Sequence, residues 1–458
     1  MTKKLNRIKP KWKHGSLEPD SPNKVFCTAP WTHTYISPQS ERRICCASRE
    51  DHDFQVQYID ASWDEGGGNE YNPIPLKEHW NSEYMKGIRR DLLEGKTRPE
   101  CQVCNDEVLS LSTYRAWFTG YLFKDKIDEI YETTHDDGFT PLPTISFDYR
   151  FNNSCGFKCR MCGELLSSSW ESEKRKHGHW SAERDKWMLP KYREQIKTFN
   201  DDVVEPEFMD AVDKGIVEEI YWVGGEPLNW QIHWDTIKKM VDEGTSKKCY
   251  LRYNSNLYRV EHKGVNLYEQ LPHFKDWIMC ASIDSIGKLG EFIRTGLDWE
   301  QWDKNFREGC KLDNTKMKMD LTITGPGMFG LKDLFDYSRE LDVDILTKIM
   351  FAFHPDIVFS PFAWPKHILH EVIDDNLAYI EPRVTPGTQS LVDTLKEMKT
   401  RPTFEEQFPD EHEEAFKNGR GWQHELAKMR FDHLKGKLSI EDIFKQHDEL
   451  YKWWTRDV

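Results

Sequence analysis

The sequence predicts an α/β protein built on a parallel sheet, with a cysteine-rich segment before the sheet and helices after it. Three observations point there. From about residue 142, short β-branched or apolar runs alternate with amphipathic helical stretches, the signature of βαβ units. Eight of the 11 cysteines lie at short spacings within the first 162 positions. Beyond residue 361 the pattern is that of amphipathic helices behind a Pro- and Gly-marked connector, Thr385-Pro-Gly-Thr. The 458 residues, 38% hydrophobic and 31% charged, describe a globular chain longer than one average domain. The expected division is a tail over 1–24, a cysteine-rich domain over 25–125, a sheet core over 126–360 and a helical extension over 361–458.

Six strands are expected, at 143–149, 218–223, 249–254, 277–283, 318–324 and 347–353, with helices at 234–243, 299–310 and 331–341 between them. A helical insertion is expected over 167–216, and amphipathic helices over 403–417 and 439–454. Six βα units fall short of the eight that close a barrel. In parallel α/β sheets the chemistry sits at the carboxyl ends of the strands, so the residues that follow each strand are the ones to read.

Charge narrows the partners. With 63 Lys and Arg against 78 Asp and Glu, the net charge is −15, which argues against a sequence-independent grip on nucleic-acid phosphate. The basic start, Met1 to Pro10, is followed by no apolar run of the secretory kind, and no stretch approaches the roughly 18 apolar residues that span a bilayer. The expectation is a cytoplasmic protein that engages neither nucleic acid nor membrane.

Cysteines in such a chain stay reduced, and reduced cysteines at short spacings are metal ligands more often than disulfide halves. The clustered ones are Cys27, Cys45, Cys46, Cys101, Cys104, Cys155, Cys159 and Cys162. Cys249, Cys280 and Cys310 stand alone and are expected to pack. Cys155-x3-Cys159-x2-Cys162 offers three thiolates without a nearby fourth. Structural zinc usually takes four ligands, whereas a cubane iron-sulfur cluster on three cysteines leaves one iron open.

The run Ser154-Cys-Gly-Phe-Lys-Cys-Arg-Met-Cys162, directly after the first expected strand, resembles the cluster loop of the radical S-adenosylmethionine (radical SAM) superfamily. Later segments resemble the same family in the same order. Trp222-Val-Gly-Gly-Glu-Pro227 is similar to its GGE motif. Tyr253-Asn-Ser-Asn256 and Ala281-Ser-Ile-Asp-Ser285 resemble its nucleoside-contacting strand ends, and Phe292-Ile-Arg-Thr-Gly296 its Arg-x-Gly segment. One departure is Met161, where the family often carries an aromatic residue against adenine.

The resemblance implies a partial (β/α)6 TIM-type barrel. It implies a 4Fe-4S cluster held by Cys155, Cys159 and Cys162, and SAM held by Gly224, Gly225, Glu226, Asn254, Ser282, Asp284 and Arg294. It also implies reductive cleavage of SAM to methionine and a 5′-deoxyadenosyl radical that abstracts hydrogen. A reductant such as flavodoxin or ferredoxin would supply the electron.

The earlier cysteines, in Phe26-Cys-Thr-Ala-Pro-Trp31, Arg43-Ile-Cys-Cys-Ala47 and Arg98-Pro-Glu-Cys-Gln-Val-Cys104, are similar to SPASM and shorter twitch domains, here placed before the barrel. This implies one auxiliary 4Fe-4S cluster on Cys27, Cys101, Cys104 and either Cys45 or Cys46, with Cys45 the choice made here. The family's Gly before this pair is absent, with Pro38-Gln-Ser-Glu-Arg-Arg in its place. Relatives with such domains act on peptide and protein side chains or on small alcohols. The expected substrate is a peptide or protein side chain; a sugar- or nucleotide-like molecule is the alternative within the family. A non-catalytic, zinc-stapled binding protein is the alternative outside it. His177-Gly-His179 reads as solvated loop, since residues two apart share no helical face, and Gly66-Gly-Gly-Asn as a turn.

Overall fold

The structure is a computed structural model, and it describes residues 4–13, 15–48, 72–106, 113–182, 185–350, 356–430 and 438–457. The Gly66 turn and the end of the sixth expected strand lie outside the described residues. The strands used below are β1 (His33–Ile36), β2 (Arg42–Arg43), β3 (Ser146–Tyr149), β4 (Glu219–Trp222), β5 (Tyr250–Ser255), β6 (Asp276–Ser282), β7 (Met317–Ile323) and β8 (Asp344–Ile349). The helices used below are α1 (Glu83–Leu93), α2 (Ser168–His177), α3 (Pro190–Phe199), α4 (Glu205–Asp213), α5 (Gln231–Asp242), α6 (Trp299–Asp313), α7 (Leu331–Leu341), α8 (Lys366–Ile380), α9 (Gln389–Thr400) and α10 (His412–Met429).

The chain forms two compact units. Unit 1 comprises 1–153, 173–251 and 273–276; unit 2 comprises 154–172, 252–272 and 277–458. The divide falls within the expected core segment, 126–360.

In unit 1 the strand order is β2-β1-β3-β4, followed by the first residues of β5. β1 runs parallel to β3, β3 parallel to β4, and β2 closes the edge antiparallel to β1. β3 and β4 match two expected strands, while β1 and β2 were not expected. Register explains a buried polar row across this sheet: His33 pairs with Ser146 and Ser146 with Glu219. The Ser146 hydroxyl donates to Glu219 Oε2 at 2.5 Å and lies 2.6 Å from His33 Nδ1. α1 forms because the Ser82 side chain caps its start, accepting from the Met85 N–H, and because Met85, Ile88 and Leu92 recur on one face, all buried. α3 and α4 realise the expected helical insertion.

In unit 2, β5 neighbours β6, followed by β7 and β8, with β6–β7 and β7–β8 parallel. The sixth strand starts earlier than expected, at Asp344, because α7 ends abruptly: Asp342 takes the left-handed conformation (φ 51°) and turns the chain straight into it. α6 is capped by Asp298 and buries Trp302, Phe306 and Gly309; α7 buries Leu331, Leu334, Phe335 and Ser338, a clean i, i+3, i+4, i+7 stripe. The extension after 361 is helical, as expected. Among the described residues no helix is long and apolar enough to cross a membrane.

Candidate functional site

In unit 2 the three-cysteine loop leaves no long strand but makes a two-residue antiparallel ribbon, Lys158–Cys159 with Arg294–Thr295. Arg294 sits opposite Cys159, and the Arg160 N–H donates to the Ile293 carbonyl at 2.8 Å. The loop and the Arg-x-Gly segment, read separately in the sequence, are thus one local structure. Gly296 is required there: its φ is +110°, and a Cβ would come within 3.0 Å of the Gly156 carbonyl oxygen.

Every sulfur of this loop has polar company. Cys155 Sγ accepts from the Phe157 N–H at 3.4 Å and lies 3.7 Å from Asn256 Nδ2; Cys159 Sγ lies 3.9 Å from Arg294 Nη1. Burial pushes the Cys159 thiol up, opposed by the cations of Arg294 and Arg430. Burial also pushes Cys162 up to about 12, with the neighbouring Cys159 adding to it.

Arg294 is itself engaged: Nη2 donates to Asp284 Oδ1 at 2.9 Å, and Nε lies 2.7 Å from Oδ2. Asp284 is fully buried just past the end of β6 and also accepts from the Thr322 N–H. Burial raises its pKa against the pull of Arg294. Ser282, the last residue of β6, is half-buried, and Asn254, one residue before the end of β5, donates to Asp320 Oδ2 at 2.6 Å. Asp320 is paired with Lys348 at 2.8 Å and stands in register with Ser282.

In unit 1, Gly224, Gly225 and Glu226 follow β4 within four residues. Gly224 has φ +137°, and a Cβ there would meet Arg150 Cβ at 2.9 Å, so only glycine lets the chain pass. Glu226 is buried, and its carboxylate accepts from the Leu228 N–H at 3.1 Å, capping the turn Pro227–Asn229.

The N-terminal cysteines meet in the same unit. One pocket is lined by Cys27, Cys45, Cys101 and Cys104 together with Arg115 and Phe118. Cys45 rather than its neighbour Cys46 lines it. Cys46 instead lies near enough to Arg150 to act on its charge. Burial drives the Cys27 thiol up to about 11, while the Ala29 N–H, Arg115 and the Thr119 hydroxyl favour its thiolate. Burial likewise drives Cys101 up to about 12 and Cys45 well above its ordinary value, the other sulfurs adding to both. Among the described residues no group of three or more His, Cys, Asp or Glu is arranged to hold a metal ion. The four sulfurs surround a space instead of meeting at a point.

The lone cysteines pack as expected: Cys249 and Cys280 are buried and Cys310 half-buried. His177 closes α2, and His179 follows Gly178 in the left-handed conformation. The sequence reading did not single out Asp320, Lys348 or Arg115, and did not place Asn256, read as part of a nucleoside-contacting strand end, beside Cys155. Asn256 had a signal, since it continues the alternation of Asn254. Asp320 had one in being a carboxylate inside a strand, and Arg115 had none.

No protein-family model matches the chain, and no curated protein matches it. Among solved structures, SuiB of Streptococcus suis bound to S-adenosylmethionine is similar at 13% identity and a TM-score of 0.34, covering 74% of this chain and 65% of that one. SuiB bound to the precursor peptide SuiA is similar at 12% identity and a TM-score of 0.32, covering 65% of this chain and 60% of that one. The chain spans slightly under two thirds of the length of these neighbours.

Proposed function

We propose that this chain is a radical SAM enzyme that generates a 5′-deoxyadenosyl radical and uses it to modify a peptide or protein side chain. The observation that carries the reading is the ribbon joining the three-cysteine loop to Arg294–Thr295. Two segments some 135 residues apart, each resembling the family on its own, form one structure around the Cys159 sulfur. Their donor set also supports it: three thiols, with two nearby cations that favour the thiolate of Cys159.

Cys155, Cys159 and Cys162 would hold a 4Fe-4S cluster, which with SAM on its open iron supplies the radical for hydrogen abstraction. The residues of this chain then have separate tasks. Asn256 and Arg294 place N–H groups beside the Cys155 and Cys159 sulfurs. Gly224 keeps the backbone after β4 free of side chain, and Glu226 presents a carboxylate oriented by the Leu228 N–H. Ser282 and Asn254 stand at strand ends with polar groups for a nucleoside, and Asp320, held by Lys348, fixes the Asn254 amide. Cys27, Cys45, Cys101 and Cys104 would hold the auxiliary cluster. A zinc staple there would ask four sulfurs to converge on one ion at about 2.3 Å; no such convergence is present among the described residues, and four thiols along one pocket suit a larger group.

The test is anaerobic reconstitution followed by iron and sulfide analysis and a reductant-dependent SAM cleavage assay. Iron and sulfide for two clusters are expected, with methionine and 5′-deoxyadenosine formed by the wild type and not by Cys159→Ala. Deuterated peptide pools should pass label into 5′-deoxyadenosine where sugar and nucleotide pools do not. Zinc without iron and sulfide would overturn the proposal.

A further inference from the structure

Arg115 is a buried cation that pairs with no carboxylate among the described residues. It is 8% exposed, at the start of a π-helical stretch, Ala116–Leu122, of the kind that often marks functional positions. Its Nη1 donates to the carbonyls of Lys24 and Cys104, each at 3.3 Å, and its Nη2 to Asn105 Oδ1 at 2.6 Å. These neutral acceptors fix the guanidinium without balancing its charge. Among the described residues its Nε is buried without a hydrogen-bond partner, and no carboxylate pairs with it. Glu100, the carboxylate on the same cavity wall, is held by Arg98 at 2.7 and 3.1 Å.

Leaving a charge and a donor buried without compensation costs several kcal/mol, so the fold implies an anionic group against this side chain. What lies beside Arg115 is the four-sulfur cavity. A 4Fe-4S cluster on four thiolates carries a net charge of about −2, and hydrogen bonds to its sulfurs and nearby charge set its potential. Resting on the auxiliary-cluster reading above, we infer that Arg115 is a positioning residue for that centre. Its Nε–H donates to a cluster or cysteine sulfur and its charge stabilises the reduced, more negative form. The centre is thereby poised to accept an electron.

The experiment is an EPR-monitored redox titration of the full-length, reconstituted chain carrying Cys155→Ala, Cys159→Ala and Cys162→Ala, so that only the auxiliary centre reports. Arg115→Gln should shift its one-electron equilibrium toward the oxidised form by tenfold or more, about 59 mV to lower potential, and alter its g-values. Arg115→Lys, which keeps the charge, should recover part of the shift. Unchanged potential and spectrum in Arg115→Gln would overturn the inference while leaving the cluster in place. Should Arg115→Gln fail to fold, Arg115→Lys decides alone: a potential equal to wild type rules out the Nε hydrogen bond. Iron and sulfide that do not fall in Cys27→Ala and Cys101→Ala would remove the auxiliary centre itself, a result distinct from a failed titration.

Discussion

Single side chains carry the strongest electrostatic demands in unit 1. His79 is 2% exposed, and burial, with the cations of Arg42 and Arg89 nearby, lowers its pKa to about 3. The folded chain therefore holds it neutral where the unfolded chain, with an ordinary histidine near 6.5, binds a proton. The stability it supports is fully present above pH 6.5 and is lost as pH falls toward 3, a swing of up to about 5 kcal/mol. The urea midpoint should fall over that window in the wild type and fall less steeply in His79→Gln; parallel curves would refute the assignment. Nothing local hinted at this residue, because a histidine in a polar run looks solvated until the packing around it is known. Cys155, Cys159 and Cys162 form a motif of short spacings, which a sequence records directly; that Arg294 stands opposite Cys159 is a pairing across 135 positions, which it does not.

At the level of elements, α10 and the residue that ends it brace the cysteine loop within unit 2. Arg430, fully buried, donates to the Lys158 carbonyl at 2.9 Å and lies 4.2 Å from the Trp170 ring, while Gln423 accepts from Arg160 at 2.9 Å. A buried charged hydrogen bond contributes about 1.5–3 kcal/mol and a cation–π contact about 0.5–2. Arg430→Ala should thus cost about 2–4 kcal/mol in urea unfolding of unit 2 followed by tryptophan fluorescence, with a smaller loss in Arg430→Lys. A loss below 1 kcal/mol would show that the helix does not secure the loop. Alternation and helical periodicity made β3 to β7, α6 and α7 readable. The strands β1 and β2 were not, since His33–Ile36 sits among cysteines that point to metal ligation and Arg42–Arg43 is only two residues long. The helix expected over 403–417 overlaps only the start of α10, which runs on to Met429, and nothing in a sequence says which loop a helix will touch.

Across the whole molecule the net charge of −15 sets how partners approach. An anionic electron-donor protein meets like charge, and the Debye length falls from about 30 Å at 0.01 M salt to about 8 Å at 0.15 M. Reduction by such a donor should therefore accelerate over that range, whereas a rate that falls with salt would reveal a local cationic docking face that overrides the total. Composition carried this much without any coordinates; the division into two units did not show in it, because pairing between distant strands leaves no local mark. That pairing also orders events in time. β1, six residues beyond Cys27, finds its parallel partner β3 only 113 positions later in the chain. On a ribosome the amino-terminal thiols must wait, unsheltered, until that partner has emerged. If these thiols hold the proposed cluster, iron delivered to a nascent chain would meet them in the open, and insertion would belong after synthesis, once the sheet has drawn the early segment in.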